Sequence, residues 1–400
     1  MFAKISIRFK IVSLSGLCLL ILISIVVGLS IHQNSKSAAL VSGRVENLLS
    51  EDLQALLMAK AGEKSSVVKS GFSDASAVLN QLFEQVLQIG QIKTLPPETM
   101  REELNHVLQT AVGRNGQLLG IYLVMEPNSI AGSDASFNGD LAKGSNESGR
   151  LATYWSRTSA GAVNTPITEK DLANSALGIS GTPYNAWYTC PSLTKQTCLL
   201  NPYVDTVGGE PTLLTTIARP VMVDGEVIGV VGVDIALQTL QSAAKSASRE
   251  LFDGSGSMII LSTSGTVAAS SSKPGIIGQP LSSLPPDYQT DIESRRLKAA
   301  PIVAIQDTVI RATLPFVPVP GVEPWTLVID LPVGVLNKNL YQLRELMATS
   351  ANRSLWIVLP CAAIAGLLGL FAMWLVASNI TKPLNTVAAR LKSISEGEGI

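Results

Sequence analysis

The longest apolar runs of this chain lie near its two ends. Residues 11–31 form an uncharged stretch rich in Leu, Ile and Val. Residues 355–378 form a second, with Trp356 and Trp374 towards its ends. Each is long enough to cross the hydrocarbon core of a bilayer, which takes about 20 residues. Tryptophans at such ends fit the interfacial positions of a membrane helix. Between 34 and 87 the pattern becomes helical. Leu48, Leu49, Leu53, Leu56, Leu57, Val78, Leu79, Leu82 and Val86 recur at spacings of three and four, which predicts a long helix continuous with the first span. It reads as a stalk, as an amphipathic helix packed on the domain it leads into, or as both. A short second helix is predicted over 97–112.

From there strands and turns alternate. Strands are predicted at 118–125 (LLGIYLVM) and 151–157 (LATYWSR), separated by a polar loop over 128–149 rich in Gly, Ser, Asn and Asp. Residues 213–223 and 227–237 predict a hairpin across Asp224-Gly225, a strong turn signal. After a helix over 236–251 the plan repeats at smaller scale. A hairpin is expected from 257–261 and 267–270, and strands from 309–317 and 325–331 joined by a Pro- and Gly-rich turn. This is an α+β organisation, a long helix with antiparallel sheet. No functional constellation stands out in the second unit, which reads as a spacer. A helix over 336–347 leads into the second span. Beyond it, Leu384, Val387, Leu391 and Ile394 have coiled-coil spacing, with Pro383 and Gly397 as punctuation at either end.

Charge and cysteine placement set the topology. Lys4, Arg8 and Lys10 precede the first span and predict a cytoplasmic N-terminus. The apolar run is too long for a cleaved signal peptide, and no small-residue cleavage site follows it cleanly. Residues from about 33 to 352 are then external. Only 15% of residues are charged and the net charge is −1, so no basic field points to nucleic acid. Cys18 and Cys361 fall within the spans. Cys190 and Cys198 fall outside, where an oxidising compartment permits a disulfide, the alternative being two free thiols. The two histidines, His32 and His106, are far from these cysteines, so no metal site is expected. There is no Gly-rich phosphate loop and no nucleophile paired with a histidine. The sequence predicts neither an enzyme nor a cofactor.

The candidate chemistry gathers between Tyr184 and Asp234. Tyr184, Trp187, Tyr188 and Tyr203 stand there with Asp205 and Asp234. The run 227–235 reads as a buried strand, and Asp234 near its end is costly to bury unless a cation or a hydrogen bond meets it. The plainer alternatives are a helix N-cap for Asp234, an Asx-turn for Asp205 before Gly208-Gly209 and core packing for the aromatics. Neighbouring strand residues face opposite sides, so at most one of Tyr154 and Trp155 reaches a shared pocket. Arg157 is either a cation of that pocket or a surface charge.

This layout resembles a bacterial transmembrane sensor with a double Cache domain, most like a methyl-accepting chemotaxis receptor. The segment ITKPLNTVAARLKSISEGEG looks like the first helix of a HAMP linker. The resemblance implies a cytoplasmic start (1–10), a membrane helix (11–31), a stalk (32–90) and a membrane-distal, ligand-binding Cache module (91–240). A membrane-proximal Cache module (241–346), a connecting helix (347–354), a second membrane helix (355–378) and the start of HAMP (379–400) would follow. Both modules would be PAS-like antiparallel sheets. The resemblance further implies an inner-membrane homodimer that reports, through an output domain beyond Ile400, to a chemotaxis kinase and its coupling protein. A histidine kinase or a diguanylate cyclase output is the alternative, as is an external region that binds a partner protein.

In amino-acid-binding members of that family an Arg and a Trp hold the ligand carboxylate, while a Tyr and two Asp hold its ammonium. Trp187 and Tyr188 match the family's Trp-Tyr pair, Tyr203 and Asp205 its Tyr-x-Asp, and Asp234 its strand-end Asp. Asn185 stands where the Arg is expected and Ser180 where an upstream Tyr is expected. Losing the guanidinium removes the bidentate clamp on a carboxylate. Two acids among aromatic faces remain, which suits an ammonium or alkylammonium group. The resemblance therefore points to a small amine, with an α-amino acid as the alternative if Arg157 replaces the missing cation.

Overall fold

The computed structural model describes residues 7–91, 94–130, 132–158, 161–306 and 308–395. Lys4 and residues 396–400 lie outside them, as do the side chains of Arg8, Lys10, Leu48, Leu49, Leu384 and Ile394. The chain divides into two units, one of residues 1–51 with 336–400 and one of residues 52–335.

In the first unit the ends of two long helices lie side by side: α1 (Ile7–Gly90) and α7 (Val333–Ser395). Their stretches Gly16–Gln33 and Leu359–Ile380 are long and apolar enough to cross a membrane. Gly16 faces Leu370, Gly366 faces Ile23 and Gly369 faces Leu19. Small residues of this kind let two membrane helices approach closely. Pro383, expected to begin a new helix, lies inside α7, which runs unbroken through Pro360 and Pro383.

The second unit carries two sheets. Helix α2 (Pro97–Arg114) precedes β1 (Gly120–Met125), β2 (Ala152–Thr158) and β3 (Gly161–Pro166). Two short helices follow, α3 (Glu169–Ala173) and α4 (Ala186–Thr194), and then β4 (Cys198–Leu199), β5 (Tyr203–Val207), β6 (Glu210–Val223) and β7 (Glu226–Ala236). The distal sheet has the order β3-β2-β1-β7-β6-β4, with β5 also on β6. All of its pairings are antiparallel. The β6–β7 hairpin closes at Asp224 and Gly225, both with positive φ (51° and 83°), as a two-residue turn of this hand requires. Helix α5 (Leu237–Glu250) leads to the proximal sheet. This comprises β8 (Ser257–Leu261), β9 (Val267–Ser270), β10 (Ile302–Ile305), β11 (Val309–Phe316) and β12 (Trp325–Pro332), with helix α6 (Pro286–Arg296) between β9 and β10. Its order is β10-β11-β12-β8-β9.

The apolar stripe of α1 explains how this unit holds together. Leu57, Ala61, Val68, Phe72, Ala75, Leu79, Leu82 and Val86 are buried at steps of three, four or seven residues. Phe72 meets the buried Trp325 of β12 edge-on at 5.2 Å. Further along, the Arg219 guanidinium of β6 sits 3.5 Å from the Phe83 ring and bonds Asn80. The stalk and packed-helix readings of this segment thus hold together. On the distal sheet, α1 meets Arg219 and α2 meets Trp155, whose Nε1 donates to Asn105 at 2.7 Å. Tyr154, one residue away, faces the opposite side.

The polar loop over 128–149 is held by a feature its composition did not announce. Arg101 of α2 is fully buried and donates to Asp134 at 2.5 Å, and to Ser145 and the Gly149 carbonyl at 2.9 Å each. Its guanidinium also stacks on Phe137 at 4.2 Å. Removing one partner of a buried ion pair leaves an uncompensated charge. Arg101→Ala is expected to cost about 3–5 kcal/mol, read as a lower denaturation midpoint. Arg101→Lys, which keeps the charge without the fork, is expected to recover only part of it.

Candidate functional site

On the face of the distal sheet away from α1 and α2, a cavity of about 80 Å³ opens among Tyr122, Tyr154, Asp171, Tyr184, Trp187, Tyr203, Asp205 and Asp234. That is room for roughly two or three waters at about 30 Å³ each. Its floor is the ladder of β1, β7 and β6, and two glycines shape it. A Cβ at Gly120 would collide with the Tyr154 hydroxyl, and one at Gly232 with the Tyr122 ring. Both rings therefore lie flat across strands whose backbone is bare beneath them. Tyr122 donates to the Trp187 carbonyl at 2.7 Å and meets its ring edge-on at 5.1 Å.

Asp234 sits in this floor, 2% exposed, opposite Gly120 on one side and Thr216 on the other. The Thr216 hydroxyl donates to it at 2.6 Å and also meets the Tyr203 hydroxyl at 2.7 Å. Burial pushes the Asp234 carboxyl up to about 7; nearby Asp205 adds to this, and the bond from Thr216 opposes it. Asp205, on β5 near the mouth, accepts from the Tyr184 hydroxyl and from the Thr206 amide at 2.7 Å each. Burial raises its carboxyl as well, against those two bonds. The third acid, Asp171, closes the capping box of α3 with Thr168. Three carboxyls thus face one small cavity, and no Lys or Arg is among the described residues that line it. Two buried donors add to this. Trp187 Nε1 has no hydrogen-bond partner among the described residues, and the Tyr154 hydroxyl, beside Asp234, makes no bond of regular geometry.

Of the residues singled out from sequence, Tyr154, Tyr184, Trp187, Tyr203, Asp205 and Asp234 come together here. Four do not. Tyr188 turns away from the cavity, donating to Glu126 at 2.5 Å and accepting from Arg150 at 2.6 Å. Asn185 precedes α4, and its side chain donates to the Leu172 carbonyl at 2.8 Å. Arg157 reaches the last carbonyls of α2, at Val112 and Gly113, where a cation is welcome at a helix C-terminus. Strand parity places it with Trp155, on the face away from the cavity. Ser180 is likewise outside the lining. The sequence reading missed Tyr122 and Asp171 altogether. Tyr122 had a detectable signal, since alternation along β1 puts it on the face of Tyr154. Asp171 had one too, in the Thr-x-x-Asp capping pattern.

The covering segment is a helix where strands and turns were expected. In α4, Pro191 and two Thr mask the periodicity. A disulfide between Cys190 and Cys198 ties α4 to β4, with Cα atoms 6.3 Å apart, so the bridged reading of these cysteines holds. Among the described residues no group of three or more His, Cys, Asp and Glu is arranged to hold a metal ion.

Residues 104–242 match the family described as methyl-accepting chemotaxis protein-like, first PDC sensor domain. Over 400 residues the chain is 34% identical to the methyl-accepting chemotaxis protein TlpQ of Pseudomonas aeruginosa, covering 99% of this chain and 56% of that protein. The periplasmic sensory domain of the Campylobacter jejuni chemoreceptor Tlp1 superposes with a TM-score of 0.54 at 12% identity, covering 72% of this chain and 98% of that one. The extracellular domain of the candidate histidine kinase mmHK1S-Z3 gives 0.56 at 19% identity, covering 74% and 98%. At these identities the likeness to solved structures is one of fold, and the fold serves more than one kind of receptor.

The raised Asp234 carboxyl has a measurable consequence. In the folded chain it keeps its proton up to about pH 7, whereas in the unfolded chain it loses it near 4. Between those values the folded state binds more protons, so stability falls as pH rises from about 4 to about 7 and is level above. The full span is on the order of 4 kcal/mol. Asp234→Asn is expected to remove this slope, seen as a shrinking difference between the melting temperatures of the two proteins as pH falls from 8 to 4.

Proposed function

Because its region 104–242 belongs to the methyl-accepting chemotaxis protein-like family of PDC sensor domains, we propose that this chain is the sensing part of a transmembrane chemoreceptor for a small organic cation. The observation that carries this reading is Asp234. A carboxyl 2% exposed, bonded to a neutral hydroxyl and facing a cavity with two further acids and no basic side chain, lacks a cation. An alkylammonium group supplies one, and the faces of Trp187, Tyr184 and Tyr203 suit its charge and its carbon chain. Burial of the pair in an aromatic cage strengthens the attraction relative to water.

The amino-acid reading fares less well. It needs a guanidinium for the ligand carboxylate, and the candidate, Arg157, is engaged with α2 on the other face. In this proposal residues from about 33 to 352 face the periplasm between two membrane helices, and ligand binding selects one of two packings of the distal module against α1. A homodimer, a HAMP linker from about residue 379 and a chemotaxis output with its kinase and coupling protein complete the receptor. That output is itself part of the proposal, since the chain spans 56% of the length of its relative. A kinase output on the same fold is the second reading, favoured by the likeness to the kinase sensor.

The test is a thermal-shift titration of the full chain in detergent with amines and α-amino acids side by side, since a ligand that binds only the folded state raises the melting temperature. Amines are expected to shift it, Asp234→Ala to abolish the shift and Arg157→Ala to leave it. A shift by amino acids alone, lost in Arg157→Ala, would sink the cation reading. Binding also requires Asp234 ionised. The dissociation constant is therefore expected to rise by up to about tenfold per pH unit below about 7 and to level off above, as calorimetry at several pH values would show.

A further inference from the structure

The five strands of the proximal sheet follow the order of five of the seven distal strands. Leaving aside β3 beyond β2 and β4 on β6, the distal order is β5-β6-β7-β1-β2 and the proximal order β10-β11-β12-β8-β9. In each, the last strand in sequence is central and runs directly into a helix: β7 into α5 at Leu237, β12 into α7 at Val333. Each of these strands carries an aspartate at the same distance from its helix, Asp234 before Leu237 and Asp330 before Val333. A second aspartate comes from a covering helix, Asp171 on α3 and Asp291 on α6. An aromatic ring completes each set, Trp187 in one and Tyr288 in the other.

The sets differ at the register position beside the strand aspartate, and Asp291 is also held by Arg295 of its own helix at 2.6 Å. Opposite Asp234 on β6 stands Thr216, and opposite Asp330 on β11 stands Arg311. Arg311 is 3% exposed. Its Nε and Nη2 donate to the two oxygens of Asp330 at 2.6 and 3.0 Å, and its Nη1 donates to Asp291 at 2.7 Å. Its guanidinium carbon lies 4.0 Å from the centre of the Tyr288 ring. Fork, counter-charge and aromatic face are all used, which is how a bound guanidinium is recognised.

We propose that the proximal module is a cation site filled by its own side chain, with Arg311 as the built-in ligand of Asp330 and Asp291. The distal module is the same site with that side chain shortened to Thr216, so that the cation comes from solution. The distal ligand class follows: a guanidinium or ammonium group on a slender alkyl chain, seated where Arg311 sits in the proximal sheet. This second half rests on the cation reading given above; the proximal half does not.

The test uses the full chain in detergent carrying Asp234→Asn, so that the distal acid does not respond. Adding Arg311→Ala is expected to lower the melting temperature by roughly 10 °C, the loss of one partner of a buried pair. Millimolar methylguanidinium is expected to restore about half of that or more, and its neutral analogue N-methylurea none. No recovery, or equal recovery with both, overturns the proposal. Should Arg311→Ala not fold, Thr216→Arg decides in the chain that keeps both Asp234 and Arg311. A tethered guanidinium in the distal site raises the melting temperature and abolishes the shift by amines, whereas a lowered melting temperature overturns the proposal. If amines fail to shift the unchanged chain while methylguanidinium rescues Arg311→Ala, the distal reading falls and the proximal site stands.

Discussion

The distal module is built around a buried carboxyl with no basic side chain among the described residues lining its cavity. Asp234 lies in the middle of a sheet, and its ladder neighbours are a glycine on one strand and a threonine on the other. A charge in that position is costly unless compensated, and the protein answers by keeping the group protonated to about pH 7 with one hydroxyl bond to it. Much of the surrounding structure serves this group. Tyr203 backs the threonine, Tyr154 leans over the glycine, and α4 lays Trp187 across the top. The proximal module meets the same constraint in the opposite way, with a neighbouring arginine.

Much of the architecture was legible in the sequence. Apolar runs and turn chemistry located the hairpin across Asp224-Gly225 and four of the five proximal strands, which are largely buried and bounded by turns, while β10 went unread. The spacing of Leu79, Leu82 and Val86 marked α1 because that face of the helix is buried. Short, irregular pieces were not legible. Helix α4 carries Pro191 inside it and is fixed by a disulfide and by packing rather than by periodicity. Strand β3 is half exposed throughout and has no apolar run to reveal it. Pro383 punctuates nothing, since α7 continues through it.

The site was legible in its types and only partly in its directions. Asp205, Asp234, Trp187 and Tyr203 converge, whereas Tyr188 is turned by Arg150 and Glu126, a contact between residues far apart in sequence. Arg157 could have been excluded by counting from Trp155, since strand parity is strict. Asn185 shows the limit of motif transfer. Standing where the resemblance led one to expect an arginine, it braces the loop before α4 by bonding the Leu172 carbonyl. The proximal module read as a spacer because Arg311, Asp330 and Asp291 are scattered along the chain and meet only across the ladder and beneath α6.

The bare backbone under Tyr122 and Tyr154 bears on what this cavity can discriminate. Beneath the two rings there is no side chain to give way, because they rest on Gly120 and Gly232 within a hydrogen-bonded sheet. Interiors of this kind are close-packed and yield little. Across from them stands the short helix tied to β4 through Cys190. The cavity is thus a gauge whose two jaws are of different make, one a continuous sheet and the other a single turn-bounded helix.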